Sequence, residues 1–124
     1  MGLDMYLDGI EVLGDGKIER TDCLVEWRKA NAIHGWFDKN IHKIRNLEHY
    51  KVTRNDLQKL YDTCKAVLDD PNKAEELLPH MEGCFFGKYD YGDWYWDDLK
   101  YTEEEVRELL ADETYDYFEY RAWW

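Results

Sequence analysis

The sequence predicts a small α+β domain whose short antiparallel sheet pairs the N- and C-terminal strands and packs against about three helices. Apolar and polar residues alternate in Leu3–Leu7 and again in Tyr115–Trp124, which is the period of half-buried strands. Between these ends, apolar residues recur every three or four positions, as in helices. A chain of 124 residues without a linker or repeat has the size of one domain, so we expect 1–124 to fold as a single domain.

The first strand is followed by a turn signal. Gly14-Asp15-Gly16 lies between the short apolar pieces Val12-Leu13 and Ile18. Glycine and aspartate in this pattern predict a hairpin or an ordered loop between Ile10 and Thr21.

A first helix is predicted to begin near Asp22 to Glu26. Gly35 in its middle costs about 1 kcal/mol relative to alanine, which indicates close approach of another group at that point. The apolar positions spaced as a core-facing stripe are Ala30, Ile33, Phe37, Ile41 and Ile44.

A second helix is marked by its start. Thr53 and Asp56 form a capping box, and Val52 with Leu57 forms the accompanying hydrophobic staple. Asp70-Pro71 ends this helix and permits a short helix over Asn72–Leu78. The apolar face of the second helix comprises Leu57, Leu60, Tyr61, Cys64, Val67 and Leu68.

The C-terminal part begins with a glycine- and aromatic-rich stretch, Met81–Tyr101, in which we expect a packed loop and a short helix from Asp93 to Lys100. Thr102 and Glu105 then form a second capping box that opens a third helix reaching Asp112. In the final strand, the predicted inward face consists of Phe118, Tyr120, Ala122 and Trp124.

Charge is unevenly distributed along the chain, whose net charge is −12. Residues 82–124 contain 13 acidic and 4 basic residues, whereas residues 28–54 contain 7 basic and 2 acidic residues. Such an acidic protein repels phosphates, which argues against direct binding of nucleic acid. Its field favours basic proteins and cationic ligands.

The compartment is predicted from what the sequence lacks. No apolar run reaches the roughly 18–20 residues of a membrane span, and the first residues do not read as a secretory signal. An odd count of 3 cysteines fits a reducing compartment. We therefore expect a soluble, cytoplasmic protein that does not bind a membrane.

The first candidate site lies in the predicted first helix. Trp27, Asn31 and His34 fall at i, i+4 and i+7 and would share one face, with Arg28 beside them. Such groups could hold an anionic or polar ligand against an indole ring. The alternative is that Asn31 and His34 are hydrogen-bonded packing residues next to the apolar stripe.

The second candidate site is an acidic, aromatic surface before and within the third helical region. Tryptophan and tyrosine dominate binding hot spots, and interleaved carboxylates would suit a basic partner. Core packing is the alternative for about half of the rings, including Tyr89. The residues proposed for this surface are Asp90, Tyr91, Asp93, Trp94, Trp96, Asp97 and Asp98.

Metal and cofactor sites are not predicted. His80 and Cys84 are four residues apart, but no spacing typical of a zinc site occurs, and no nucleotide-binding or nucleophile motif is present. We expect Cys84 to be buried among Phe85 and Phe86. Glu103–Glu105 fall in the first turn of a predicted helix, where acidic residues stabilise the helix rather than indicate catalysis.

Four segments resemble a family of small phage and prophage proteins of uncharacterised function. They are Met1–Leu7, Glu26–Phe37, Glu76–Pro79 and Gly83–Gly87, together with the later aromatic region that includes Asp98-Leu99. This chain is shorter than those proteins between Leu7 and Leu24. The resemblance implies a phage or bacterial cytoplasmic context, transfers no catalytic residues, and makes one segment the first to test, through Trp27, Arg28, Asn31, His34 and Trp36.

Two functions remain open from the sequence. The favoured one is a non-enzymatic binding or inhibitory protein that uses the acidic aromatic surface on a basic host partner. The alternative is a small-molecule-binding protein or small enzyme that uses Trp27, Arg28, Asn31 and His34.

Overall fold

The computed structural model describes residues 2–83 and 90–124 of the chain, apart from the side chain of Ile18. It is an α+β domain built on a four-stranded antiparallel sheet with the strand order β2-β1-β4-β3. The strands are β1 (Asp4–Leu13), β2 (Ile18–Arg28), β3 (His49–Val52) and β4 (Tyr117–Trp123). The helices are α1 (Asn31–Asn40), α2 (Arg54–Asp69), α3 (Ala74–Leu77) and α4 (Asp93–Ala111), with a 3-10 turn at Pro71–Lys73.

The predicted pairing of the terminal strands is confirmed. β1 and β4 lie antiparallel, with Met5 opposite Ala122 and Leu7 opposite Tyr120. The predicted hairpin is also present: β1 and β2 pair antiparallel around a turn in which Gly14 and Gly16 take positive φ angles. This conformation is the one that glycine adopts without a steric penalty.

The predicted start of the first helix is wrong. Residues 22–28 belong to β2, and α1 begins only at Asn31 and ends at Asn40. In β2, buried Val25 and Trp27 alternate with exposed Glu26 and Arg28, which is the two-residue period of a strand. Pairing with β1 along its whole length therefore determines the structure of this segment.

The second helix matches its prediction, and the third does not. Thr53 and Asp56 form the reciprocal capping box at the start of α2. Thr102 is not a cap, because α4 runs unbroken from Asp93 through it, and its side chain is buried. The short strand β3 was not predicted.

The helices and one face of the sheet enclose a hydrophobic core. Phe118, Tyr120 and Ala122 of β4 are buried in this core as predicted. Trp124, which was predicted on the same face, lies beyond the end of β4 and is half-buried. Phe37 of α1 stacks on the ring of Tyr120, with the two ring centroids 3.9 Å apart. Because this contact fixes α1 on the sheet, it also fixes the β2–α1 junction, which forms one wall of the cleft described below.

Candidate ligand-binding site

A cleft of about 440 Å³ opens between the β2–α1 junction and the start of α4. We call it the junction cleft. Among the described residues, its lining consists of Arg28, Lys29, Asn31, Ala32, His80, Asp90, Trp94, Tyr95, Asp98 and Leu99. Small-molecule sites in proteins typically have volumes of roughly 300–1,000 Å³, so the junction cleft is large enough for one.

The wall from the junction depends on an unusual backbone conformation. Lys29 connects β2 to α1 with a φ angle of 56°, a left-handed conformation that non-glycine residues seldom adopt. Its backbone N–H donates to the carbonyl oxygen of Leu3 at 2.7 Å, which holds the turn against the start of β1. Arg28 and Lys29 are thereby placed at the cleft as exposed cations.

Asn31 joins the junction to the segment after α3. Its side-chain oxygen accepts a hydrogen bond from the backbone N–H of Met81 at 3.2 Å and lies 2.9 Å from Nδ1 of His80. Because the Met81 N–H can only donate, its partner atom is the amide oxygen, and His80 Nδ1 must carry a proton to donate to the same oxygen.

Three aromatic rings line or support the other side of the cleft. The hydroxyl of Tyr95 donates to the carbonyl oxygen of Leu78 at 2.9 Å, which ties α4 to the end of α3. The ring of Tyr91 lies 4.4 Å from that of His80, measured between centroids. Trp94 lines the cleft and is 67% exposed. The cleft therefore has an aromatic surface accessible from solvent.

Asp98 is the acid of α4 that lines the cleft. Burial, reinforced by the negative charge of Asp97, raises the pKa of Asp98 to about 7. No hydrogen bond or ion pair reaches its carboxyl group from the part of the chain that the structure describes. A carboxyl group that is partly desolvated and lacks such a partner is a candidate for contact with a ligand.

The predicted shared face of Trp27, Asn31 and His34 does not exist, because Trp27 and Arg28 lie in β2 and precede α1. Trp27 is buried, and its indole N–H donates to the hydroxyl of Thr102 at 2.8 Å. Arg28 and Asn31 line the junction cleft, so the structure brings two members of this group together.

His34 lies in the core. Its Nδ1 and the hydroxyl of Tyr120 share a hydrogen bond of 2.7 Å, and both side chains are buried. Burial lowers the pKa of His34 to about 4, so the ring is neutral at pH 7. His34 does not line the junction cleft within the described residues.

Trp36 lines a second, smaller cavity of about 200 Å³. Ala32 and His80 line both cavities. Met81 also lines the second cavity, where it packs against Gly35: a Cβ atom built on Gly35 would lie 3.1 Å from Cβ of Met81. The close approach predicted at Gly35 is therefore present.

The second predicted group divides between the cleft and the outer surface. Asp90, Trp94 and Asp98 line the junction cleft, and Asp93 and Asp97 are exposed on α4. Tyr91 and Trp96 are half-buried and joined by a hydrogen bond of 2.9 Å from the indole N–H of Trp96 to the carbonyl oxygen of Tyr91. Tyr89, Cys84, Phe85 and Phe86 lie outside the described residues.

Five cleft residues belong to neither of the two sites predicted from the sequence: Lys29, Ala32, His80, Tyr95 and Leu99. His80 was considered only as a metal ligand. A signal for the approach of the segment that carries His80 was Gly35, whose absent side chain makes room for Met81 of that segment.

The described residues contain neither a metal site nor a membrane-spanning helix. No group of three or more histidine, cysteine, aspartate or glutamate side chains there is arranged to hold a metal ion. No helix in residues 2–83 or 90–124 is long and apolar enough to cross a bilayer.

Comparison of the chain with protein-family models, with curated proteins and with solved structures finds no match in any of the three.

Proposed function

We propose that this protein is a small-ligand-binding protein and that its ligand occupies the junction cleft. The observation that carries the proposal is that one cavity gathers two cations, two carboxyl groups and an exposed indole ring. Concave sites with an apolar lining and a few convergent polar groups are where proteins usually bind small molecules.

The hydrogen bonds that hold the walls of the cleft favour a binding role for the cleft residues over a purely structural one. Asn31 and Tyr95 use their polar atoms to hold the walls in place, through His80, Met81 and Leu78. Arg28 and Asp98 make no hydrogen bond to these wall segments among the described residues, and their side chains present charge to the cavity. Walls held by hydrogen bonds, with further polar groups facing the cavity, are the arrangement that a preorganised binding site requires.

Ligand-detected and protein-detected NMR with a library of small polar molecules tests the proposal. A true ligand should shift the backbone amide signals of Ala32 and Leu99, and Trp94→Ala should weaken its binding. Leu47→Ala is the control, because Leu47 is also a large apolar residue, is 63% exposed and does not line the cleft. If no library member shifts the amides that line the cleft, the proposal is wrong.

A second candidate function rests on a different surface. Asp93, Trp94 and Asp97 are exposed side by side on α4, which suits a basic host protein, as the charge distribution of the sequence predicts. The resemblance to phage proteins would place such a partner in a bacterial host. Affinity capture from bacterial lysate tests this candidate: Asp93→Asn with Asp97→Asn should abolish recovery of a basic protein, whereas the exposed pair Asp62→Asn and Asp69→Asn on α2 should not. Recovery that is equal with both double variants would rule it out.

A further inference from the structure

The junction cleft has two kinds of charge on different structural elements. The β2–α1 junction supplies the cations Arg28 and Lys29, whereas α4 and the turn before it supply the acids Asp98 and Asp90. A ligand that spans the cleft therefore meets a positive environment on one side and a negative one on the other.

The cations remain available to a ligand. The side chain of Arg28 is 72% exposed, and its one ion pair within the described residues is a long contact of 3.9 Å with Asp4. Exposed ion pairs of this kind contribute little to stability, so a ligand carboxylate can compete with Asp4 for the guanidinium group. Asp4 is also engaged elsewhere, because it accepts a hydrogen bond from the indole N–H of Trp123 at 3.0 Å.

The two acids differ in whether their carboxyl groups accept a hydrogen bond from the described residues. Asp90 accepts a hydrogen bond from the backbone N–H of Gly92 at 3.2 Å. Asp98 has no such donor among the described residues, although it is partly buried. A partly desolvated carboxylate is stabilised most by a cationic donor, and an ammonium group supplies both charge and protons for hydrogen bonds.

Part of the cleft lining is apolar. Ala32, Tyr95 and Leu99 contribute to it, together with Trp94, which is 67% exposed. A flat or aliphatic group would bury its surface here, and an ammonium group near these rings would gain cation–π attraction.

The charge of the whole protein limits the choice of ligand. A net charge of −12 repels ligands that carry net negative charge, such as free phosphates, even when two cations are present locally. A ligand with one positive and one negative group carries no net charge and avoids this repulsion.

We infer that the junction cleft binds a small zwitterion with an apolar or aromatic body, namely a free amino acid or a dipeptide. Its carboxylate faces Arg28 and Lys29, its ammonium group faces Asp98, and its side chain packs against Trp94. This assignment deepens the proposed function and rests on it.

Isothermal titration calorimetry with tryptophan and glycyl-tryptophan tests the inference, because the two molecules differ in the separation of their charges. Tryptamine lacks the carboxylate, and indole-3-propionate lacks the ammonium group. Loss of one charge-assisted contact should weaken binding about tenfold or more. Each of these two analogues should therefore bind more weakly than whichever of tryptophan and glycyl-tryptophan binds more tightly.

Variants of the protein test which side of the cleft binds each charged group of the ligand. Asp98→Asn should weaken binding of the zwitterion and of tryptamine but leave binding of indole-3-propionate unchanged. Arg28→Gln with Lys29→Gln should weaken binding of the zwitterion and of indole-3-propionate but leave binding of tryptamine unchanged. Asp62→Asn and Arg107→Gln are the controls, since each removes an exposed charge outside the cleft.

The outcomes separate this inference from the proposed function. Equal binding of the zwitterions and either single-charge analogue would overturn the inference. So would the absence of binding by every indole compound, but a different library member that shifts the cleft amides would then leave the proposed function standing. If nothing shifts those amides, both fail.

Discussion

The side-chain oxygen of Asn31 lies 2.9 Å from the imidazole Nδ1 of His80, and this contact joins the start of α1 to the segment after α3, whose His80 lines both cavities. The residues are 49 positions apart in the chain. The same oxygen accepts the backbone N–H of Met81, so one buried amide positions two consecutive residues of that segment.

Asn31→Ala should therefore destabilise the protein and loosen the junction cleft. It leaves the half-buried N–H groups of His80 and Met81 without this acceptor, and the loss of a typical hydrogen bond costs about 0.5–1.5 kcal/mol. Urea denaturation measures the loss of stability, and amide hydrogen exchange of Met81 measures the local opening. Asn40→Ala is the control, since Asn40 makes a hydrogen bond of 2.8 Å to the Trp36 carbonyl at the end of the same helix. Equal effects of the two substitutions would contradict this prediction.

Burial of His34 predicts that stability falls in mild acid. The folded pKa of about 4 lies below the ordinary value of 6.5, so the unfolded chain binds more protons between these two values. Stability due to this group is thus complete above pH 6.5 and is lost as pH falls towards 4, by up to about 3 kcal/mol. Urea denaturation from pH 4 to 7 should show that the free energy of unfolding depends less steeply on pH in His34→Gln than in the parent protein.

Histidine ring NMR of the folded protein provides the direct measurement for His34. The ring should remain neutral at pH 5, with its Nδ1 still hydrogen-bonded to Tyr120. His42→Gln, which removes an exposed histidine, is the control in the denaturation series. A folded His34 that titrates near pH 6.5 would disprove the prediction.

Asp98 should have the opposite effect on stability. Its folded pKa of about 7 lies above the ordinary 3.8, so the folded chain binds more protons between these values and stability falls as pH rises through them. Asp98→Asn should thus stabilise the protein above pH 7, on the order of 1–2 kcal/mol after allowance for partial exposure, and change little below pH 4.

Carboxyl NMR of the folded protein follows the titration of Asp98 itself. Asp97→Asn should lower the pKa of Asp98, because the charge of Asp97 contributes to its rise. The control is Asp62→Asn, an exposed substitution on α2. If Asp98 titrates near pH 4 in the parent protein, burial does not raise its pKa and the prediction is wrong.

Local sequence patterns predicted the sheet's terminal strands and the helix α2, because each has its own period and its own end signals. They failed where the two-residue period of a strand overlaps with the helical spacing of three and four residues. Val25 and Trp27 fit a strand, yet the helical spacing from Ala30 to Phe37 also extends back towards residue 26. Pairing with β1, which no local pattern shows, decides between the two.

The junction cleft could not be predicted, because its walls come from residues far apart in the chain. Arg28 and Asp98 line one cavity only after the sheet and the core bring β2 and α4 together. His34 shows the reverse case. Its residue type and position suggested a binding role, but the fold buries it against Tyr120.

The hydrogen bond between Trp27 and Thr102 predicts a cost for a substitution that preserves shape. Thr102→Val removes the oxygen that accepts the buried indole N–H at 2.8 Å, and an unsatisfied buried donor costs about 1–3 kcal/mol. Thr63→Val is a closely matched control. Both hydroxyls donate at 2.7 Å to the backbone carbonyl four residues earlier, but Thr63 accepts no buried donor within the described residues. Urea denaturation should show a larger loss for Thr102→Val, and Thr102→Ser should recover most of it.

Leu47 predicts a gain in stability. Its φ angle of 69° is left-handed, which costs a residue with a Cβ atom about 1–2 kcal/mol, and its side chain is 63% exposed and so contributes little burial. Its backbone N–H donates to the carbonyl oxygen of Ala122 at 2.9 Å, a bond that any residue except proline retains. Leu47→Gly should raise the free energy of unfolding by up to about 1 kcal/mol, after the entropy that glycine loses on folding.

Leu13→Gly is the control for Leu47, because Leu13 is exposed at the end of β1 and has no positive φ angle. There glycine relieves no strain and only increases the entropy lost on folding, so the free energy of unfolding should fall by about 0.5–1 kcal/mol. Thermal and urea denaturation of both variants should show a higher free energy of unfolding for Leu47→Gly and a lower one for Leu13→Gly. A loss of stability in Leu47→Gly as large as that in Leu13→Gly would mean that the left-handed conformation at residue 47 carries no strain.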